Sequence, residues 1–130
     1  MKGAESLLAD LRREGFRIGL ASSSSTRMIN ALLSHFGLYE AFDAVVSADL
    51  VEYGKPHPAV FLHCASLLGT PHFNALVLED SVGGAIAGKA ARMKVIAVPD
   101  ALHYDDPRYS IADAKVPSLE SVDIQMIRTL

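Results

Sequence analysis

Apolar positions recur along the chain with two different periods, one helical and one extended. Ala4, Leu7, Leu8 and Leu11 repeat at helical spacing with charges between them, and Gly15 follows as a stop, which predicts an amphipathic helix. Residues 16–21 are apolar apart from Arg17 and read as a strand. Ile29, Leu32, Leu33 and Phe36 mark a second helix, ended by Gly37, and residues 44–47 form a short strand. A polar loop over residues 49–58 leads into a third helix. That helix turns Phe61, Cys64, Ala65 and Leu68 inward, has Pro58 in its first turn and Gly69 at its end. Residues 75–78 are a continuous apolar run, the pattern of a strand buried on both faces. The helix predicted over residues 82–92 is rich in Gly and Ala, so it can pack closely on a sheet. A strand over 94–98, stopped by Pro99, a polar loop over 100–110, a short strand over 114–116 and a weak helix from Ser118 complete the pattern.

Helix and strand alternate through most of the chain, which implies an α/β fold: a parallel sheet with helices on both faces. At 130 residues this is one domain. The beginning is unusual, because the chain opens on a helix and its first strand arrives only at Phe16. Half of the residues are hydrophobic, enough for a core, and the net charge of −3 gives no push toward nucleic acid or an anionic membrane. No apolar run is long enough to span a bilayer, and no signal-peptide core follows Met1. The single cysteine, Cys64, excludes an intrachain disulfide and makes a cytoplasmic protein the default expectation. Cys64 falls on an inward helical face and reads as a core thiol.

Three polar clusters follow three of the strands. Ser22, Ser23, Ser24 and Ser25 combine hydroxyls and backbone N–H groups at a strand-to-helix turn, which is either an anion site or an ordinary helix cap. In Gly54-Lys55-Pro56-His57-Pro58 the two prolines stiffen the backbone, so Lys55 is either held toward a fixed anion or a solvated turn residue. His57 reads as a turn residue. Glu79 and Asp80 emerge side by side from the apolar run and are followed by Ser81. Two adjacent carboxylates repel each other and are best explained by a cation such as Mg²⁺, although Asp80 or Ser81 could instead cap the next helix. Ligands bind beyond the carboxyl ends of strands in open α/β sheets. An anion cradle, a fixed cation and a metal-binding acid pair on one rim are the means of phosphoryl transfer. His35, His63, His72 and His103 show no metal-ligand spacing, and Asp105 and Asp106 beside Pro107 read as turn chemistry.

With these clusters in place, the chain resembles the haloacid dehalogenase-like hydrolase superfamily. It is most similar to the branch of sugar-phosphate phosphatases and β-phosphoglucomutases that includes 2-deoxyglucose-6-phosphatase-like enzymes. Leu20-Ala21-Ser22-Ser23-Ser24 matches the second motif, Lys55-Pro56-His57-Pro58 the third, and Leu78-Glu79-Asp80-Ser81-Val82-Gly83-Gly84 the fourth. Ala90-Ala91-Arg92-Met93 and Val98-Pro99 also fit. The resemblance implies a Rossmann-like sheet, phosphate binding by Ser22, Ser23 and Ser24, catalytic roles for Lys55 and Ser22, and Mg²⁺ on Glu79 and Asp80. It implies a small phosphorylated metabolite as ligand.

The family's first motif, an Asp-x-Asp carrying the nucleophile, occurs nowhere in these residues. The expectation is a partial hydrolase core over residues 1–130, lacking the family's first, central strand and its cap domain. Either the gene is truncated or the chain is a fragment. Two functions stay open: Mg²⁺-dependent hydrolysis of small phosphate monoesters, with sugar phosphates foremost, or a catalytically inactive remnant serving as an interaction or phosphate-binding module. The missing strand would leave residues 17–21 and 75–78 with open edges. Direct closure, filling by a second copy or partial disorder could follow, and association of two copies is the expected outcome.

Overall fold

The computed structural model describes residues 1–130. In chain order its elements are α1 (Ala4–Arg13), β1 (Gly19–Ser22), α2 (Thr26–Phe36), β2 (Ala44–Ser47), α3 (Ala59–Leu67), β3 (Leu76–Glu79), α4 (Val82–Ala90), β4 (Lys94–Ala97), β5 (Ala114–Lys115) and α5 (Ile124–Thr129). Two of the glycine stops work as the sequence predicts. Gly37 and Gly69 have φ of 65° and 64°, a left-handed conformation that turns the chain out of α2 and α3 without the clash a Cβ would bring.

All strand pairs are parallel, and the sheet is divided into two parts. β1 pairs with β2, with Gly19 opposite Ala44 and Ser22 opposite Ser47. β3 pairs with β4, and β4 with β5, in the order β3-β4-β5. β1 and β3 are not hydrogen-bonded to each other. Alternate side chains of β3 and β4 serve two cores. Val77 and Val95 join Val60, Phe61, Cys64 and Ala65 of α3 and Ala85 and Ala87 of α4. Ile96 and Val98, with the partly buried Leu76 and Leu78, meet Leu7 of α1 and Met126 and Ile127 of α5 on the opposite face. This is the expected Rossmann-like α/β arrangement, with helices on both faces. Small residues let α4 approach the sheet: a Cβ on Gly88 would lie 2.7 Å from Val95 Cγ2.

Element boundaries differ from the sequence reading in several places, and the weak helix read from Ser118 begins only at Ile124, after a 3₁₀ turn over Leu119–Ser121. The first strand begins at Gly19 rather than Phe16. Phe16 N–H is taken back by the Leu11 carbonyl, and Ile18 N–H by Asp43 Oδ2, so neither is free for a sheet. The third strand is displaced by one residue and includes Glu79. α4 stops at Ala90, because Arg92 takes a φ of 60° and turns the chain into β4. The segment read as a polar loop over 100–110 contains a 3₁₀ turn, Pro107–Ile111, capped by Asp106, whose carboxylate accepts from Arg108 N–H. That cap agrees with the turn chemistry expected of Asp106.

Two carboxylates fix the entries to the sheet. Asp43 accepts from Ile18 N–H at 2.8 Å and from Arg12 at 2.9 Å, joining α1 to β1. Its carboxyl is held below the usual range by the Ile18 N–H first and the Arg12 guanidinium second. Burial raises the pKa of Asp113, but hydrogen bonds from Lys89 and Val95 N–H outweigh it and leave a net lowering. A carboxylate with a depressed folded-state value stabilises the fold above its ordinary pKa of about 4 and loses that contribution as pH falls through the depressed value. Asp43→Asn is therefore expected to lower Tm at neutral pH and to reduce the further loss on acidification. Thermal melts at neutral and acid pH check this; equal acid sensitivity in variant and parent would contradict it.

Candidate functional site

The serine run leaves the carboxyl end of β1 as a tight turn. Ser22 Oγ accepts from Ser24 N–H at 3.1 Å, which folds the turn back on the strand end. Ser25 is the cap of α2, its Oγ accepting from Met28 N–H at 3.2 Å. The cap and anion-site readings thus fall on different serines. Ser25 performs the capping, while Ser23 lies exposed at the turn and the N–H of Ser23 has no partner within the chain.

Two residues that the sequence reading did not single out hold this turn. Ser47, at the end of β2 and 1% exposed, donates its hydroxyl to the Ser24 carbonyl at 2.6 Å and accepts from Asp49 N–H at 3.0 Å. Asp49 Oδ2 accepts from Thr26 N–H at 3.0 Å at the start of α2. The available signal was positional: Ser47 is the polar end of an apolar strand, in register with Ser22.

Lys55 reaches from the loop before α3 into the space between the two parts of the sheet. Its Nζ donates to the Ala21 carbonyl at 3.2 Å and pairs with Glu79 Oε1. It also lies 4.8 Å from the centroid of the Phe61 ring. The side chains of Lys55 and Glu79 are 10% and 9% exposed, so this is a buried ion pair and not a solvated turn lysine. His57 is a turn residue as expected. Its Nδ1 accepts from Ala59 N–H at 3.1 Å, and Pro58 stands at the cap position of α3.

The adjacent acids diverge. Glu79 is buried, and its second oxygen accepts from Ser81 N–H at 3.1 Å and Ser81 Oγ at 3.0 Å. Asp80 is exposed with its carboxylate free of partners in the chain, while its carbonyl accepts from Tyr109 Oη at 2.6 Å. Tyr109, buried within the segment read as a loop, has its hydroxyl pKa raised by burial and then by the charge of Asp80. Ser81, not Asp80, caps α4, accepting from Gly84 N–H at 3.0 Å. No three His, Cys, Asp or Glu side chains converge as a metal-binding group. Cys64 is buried, as read from the sequence, and burial pushes its thiol up to about 11, while His63 is exposed.

Gly84 gives Glu79 its room, because a Cβ there would collide with the Glu79 carboxylate. Gly84→Ala is expected to displace that carboxylate from Lys55 and to cost about 1–3 kcal/mol, the usual range for overpacking. Gly83→Ala is the control: its Cβ meets nothing, and alanine is favoured over glycine in a helix by about 1 kcal/mol. Denaturant midpoints of the two variants should move in opposite directions, and equal midpoints would contradict the packing account.

Ser22, Lys55 and Glu79 therefore meet on one rim, with Ser23, Ser24 and Asp80 beside them. Lys55 links the carboxyl ends of β1 and β3. This rim presents hydroxyls, a free N–H, an ammonium and one free carboxylate, donors suited to an oxyanion and to a hard cation.

Comparison with known proteins places the same features in context. A family model described as haloacid dehalogenase-like hydrolase matches residues 1–92. Hexitol phosphatase B of Escherichia coli (strain K12) is 44% identical over 119 residues, covering 92% of this chain and 54% of that protein. Fructose-1-phosphate phosphatase of the same organism is 40% identical over 81 residues, covering 62% of this chain and 43% of that protein. Among solved structures, β-phosphoglucomutase from Clostridium difficile superposes with a TM-score of 0.84 at 31% identity, covering 98% of this chain and 54% of that one. CbbY from Rhodobacter sphaeroides in complex with phosphate gives a TM-score of 0.89 at 27% identity, covering 98% and 58%. The chain spans about half the length of the curated phosphatases it matches.

Proposed function

The chain belongs to the haloacid dehalogenase-like hydrolase family, and from that premise we propose that residues 1–130 are the phosphate-binding part of a Mg²⁺-dependent phosphatase of small phosphate monoesters, sugar phosphates foremost. The observation that carries this reading is the position of Lys55: its ammonium joins the carboxyl ends of β1 and β3 beside the Ser22–Ser24 turn. Names of the relatives supply the substrate class, since those cited act on hexitol or fructose phosphates.

Each residue then has a chemical task. The Ser22 hydroxyl and the Ser23 N–H hold phosphate oxygens, and Ser47 and Asp49 keep that turn in place. Lys55 offsets the charge of the bound phosphate. Mg²⁺ binds through one or two carboxylates together with substrate phosphate oxygens, so the free Asp80 fits it, whereas both oxygens of Glu79, the other expected ligand, are held by Lys55 and Ser81. Bound there, the ion would polarise a phosphoryl oxygen. No Asp-x-Asp occurs in residues 1–130, so these residues bind and neutralise but supply no family nucleophile. This absence favours the second reading for residues 1–130 by themselves, that of a phosphate-binding module without turnover.

Calorimetric titration with inorganic phosphate, with and without Mg²⁺, tests the proposal. Weak binding near the millimolar range, about −4 kcal/mol, is expected, strengthened by Mg²⁺. Ser22→Ala should weaken phosphate about tenfold by removing a hydrogen bond to a charged group, and Asp80→Asn should abolish the effect of Mg²⁺. Unchanged titrations in both variants would overturn the assignment.

A further inference from the structure

The peptide unit between Asp80 and Ser81 is bonded on both of its polar sides. Tyr109 Oη donates to the Asp80 carbonyl at 2.6 Å, and Ser81 N–H donates to Glu79 Oε2 at 3.1 Å. That carbonyl and that N–H lie in one plane, so two bonds from different parts of the fold keep the plane from turning. One anchor, Glu79, is buried and paired with Lys55. The other, Tyr109, is 4% exposed and belongs to the Pro107–Ile111 turn. Its main chain is bonded within that segment: Tyr109 N–H donates to the Asp106 carbonyl at 3.2 Å, and its carbonyl accepts from Ala112 N–H at 3.0 Å. Asp113 then ties the segment to β4 by accepting from Val95 N–H at 2.8 Å, and to α4 by pairing with Lys89 at 2.9 Å. The Tyr109 hydroxyl is therefore presented from a fixed support.

The Asp80 carboxylate has no partner in the chain, so its backbone alone aims it. We propose that Tyr109 is a positioning residue for the Mg²⁺ ligand Asp80: its hydroxyl, acting on the Asp80 carbonyl, fixes the backbone from which the free carboxylate projects. Tyr109 works through the main chain and is not one of the groups that hold phosphate. Outer partners that orient a metal ligand change metal affinity by about 10–100-fold. The effect here lies at the lower end, because Glu79 keeps its hold on the other side of the peptide. Ser22 and Lys55 are bonded to other groups, so binding of phosphate by itself does not depend on the Tyr109 hydroxyl. This inference rests on the reading of Asp80 as a Mg²⁺ ligand.

Tyr109→Phe keeps the ring and removes the hydroxyl alone. In the metal-free chain, amide hydrogen exchange at Ser81 is expected to rise by about tenfold, with exchange in β3 and β4 unchanged. In titrations followed by amide chemical shifts, affinity for Mg²⁺ should fall by about tenfold, while affinity for inorganic phosphate without Mg²⁺ stays that of the parent. Val116→Ala, which removes apolar bulk from the core on the opposite face, is the control. It should lower the denaturant midpoint and leave Mg²⁺ affinity as it was. Unchanged exchange at Ser81 in Tyr109→Phe would overturn the proposal. So would unchanged Mg²⁺ affinity in that variant beside a parent that loses Mg²⁺ on Asp80→Asn. An equal loss of Mg²⁺ affinity in Val116→Ala would also overturn it, since general loosening would then be the cause. A parent that binds no Mg²⁺, or binds it equally well as Asp80→Asn, shows instead that the reading of Asp80 is wrong, and this inference falls with it.

Discussion

Residues 1–130, purified and supplied with Mg²⁺ and a panel of hexose and hexitol phosphates, are expected to release no inorganic phosphate above the protein-free control. Covalent phosphatase chemistry divides one difficult step into two by placing a nucleophile in line with the leaving group. The rim holds Ser22, Lys55 and Asp80, which bind and neutralise, yet residues 1–130 contain no Asp-x-Asp to attack phosphorus. In enzymes whose reacting groups act as a unit, loss of the nucleophile alone lowers kcat by as much as about 10⁶-fold, while binding and charge stabilisation leave a small remainder. Here that remainder lies beneath detection. Activity that co-purifies through successive columns and disappears in Asp80→Ala would show that another group in these residues attacks phosphorus, and would refute the prediction.

Lys55→Met is expected to destabilise the fold by about 3–5 kcal/mol, the usual cost of removing one partner of a buried ion pair. The side chain is 10% exposed and bonded to Glu79, which is itself 9% exposed. Glu79 would be left in the interior with only Ser81 as donor. Lys55 also holds the Ala21 carbonyl, so its loss removes the side-chain link between the ends of β1 and β3. For a domain of this size the change lowers Tm by roughly 10 °C or more. Adding Glu79→Gln to Lys55→Met removes the unpaired charge and should recover much of the loss, because replacing both members of a buried pair is often close to neutral. Chemical denaturation of the single and double variants measures this. A single variant within about 1 kcal/mol of the parent, the range of a solvated surface pair, would contradict the buried-pair account.

Much of the fold was legible because the pattern of apolar positions changes period where the structure changes element. Val77 and Val95 alternate with Leu76, Leu78 and Ile96, and the two sets serve opposite faces of the sheet. Gly37 and Gly69 end helices where the sequence placed their ends. The extent of the first strand was not legible, because a partner distant in sequence decides it: Asp43 takes the N–H that Ile18 would otherwise offer a sheet. The Pro107–Ile111 turn was missed for a similar reason. Its buried residue is Tyr109, which hydrogen-bonds to the Asp80 carbonyl across the fold, while the more apolar Ile111 stays exposed.

At the candidate site, sequence named the residues of the rim but not their division of labour. Capping falls to Ser25 and Ser81, which leaves Ser22 and Asp80 for other tasks. Glu79 and Asp80 are adjacent, yet strand geometry sends one inward to Lys55 and the other to solvent. Ser47 and Asp49 stayed hidden because their hydrogen bonds to the serine turn join residues more than twenty positions apart.

The central claim is that three separate loops form one phosphate-binding rim. Amide chemical shifts of residues 1–130, followed during titration with inorganic phosphate in the presence of Mg²⁺, test it most directly. The account predicts that Ser22, Ser23, Ser24, Lys55, Glu79, Asp80 and Ser81 shift together along one saturation curve. Shifts confined to one loop, separate midpoints for the three loops, or changes centred away from the rim would contradict it.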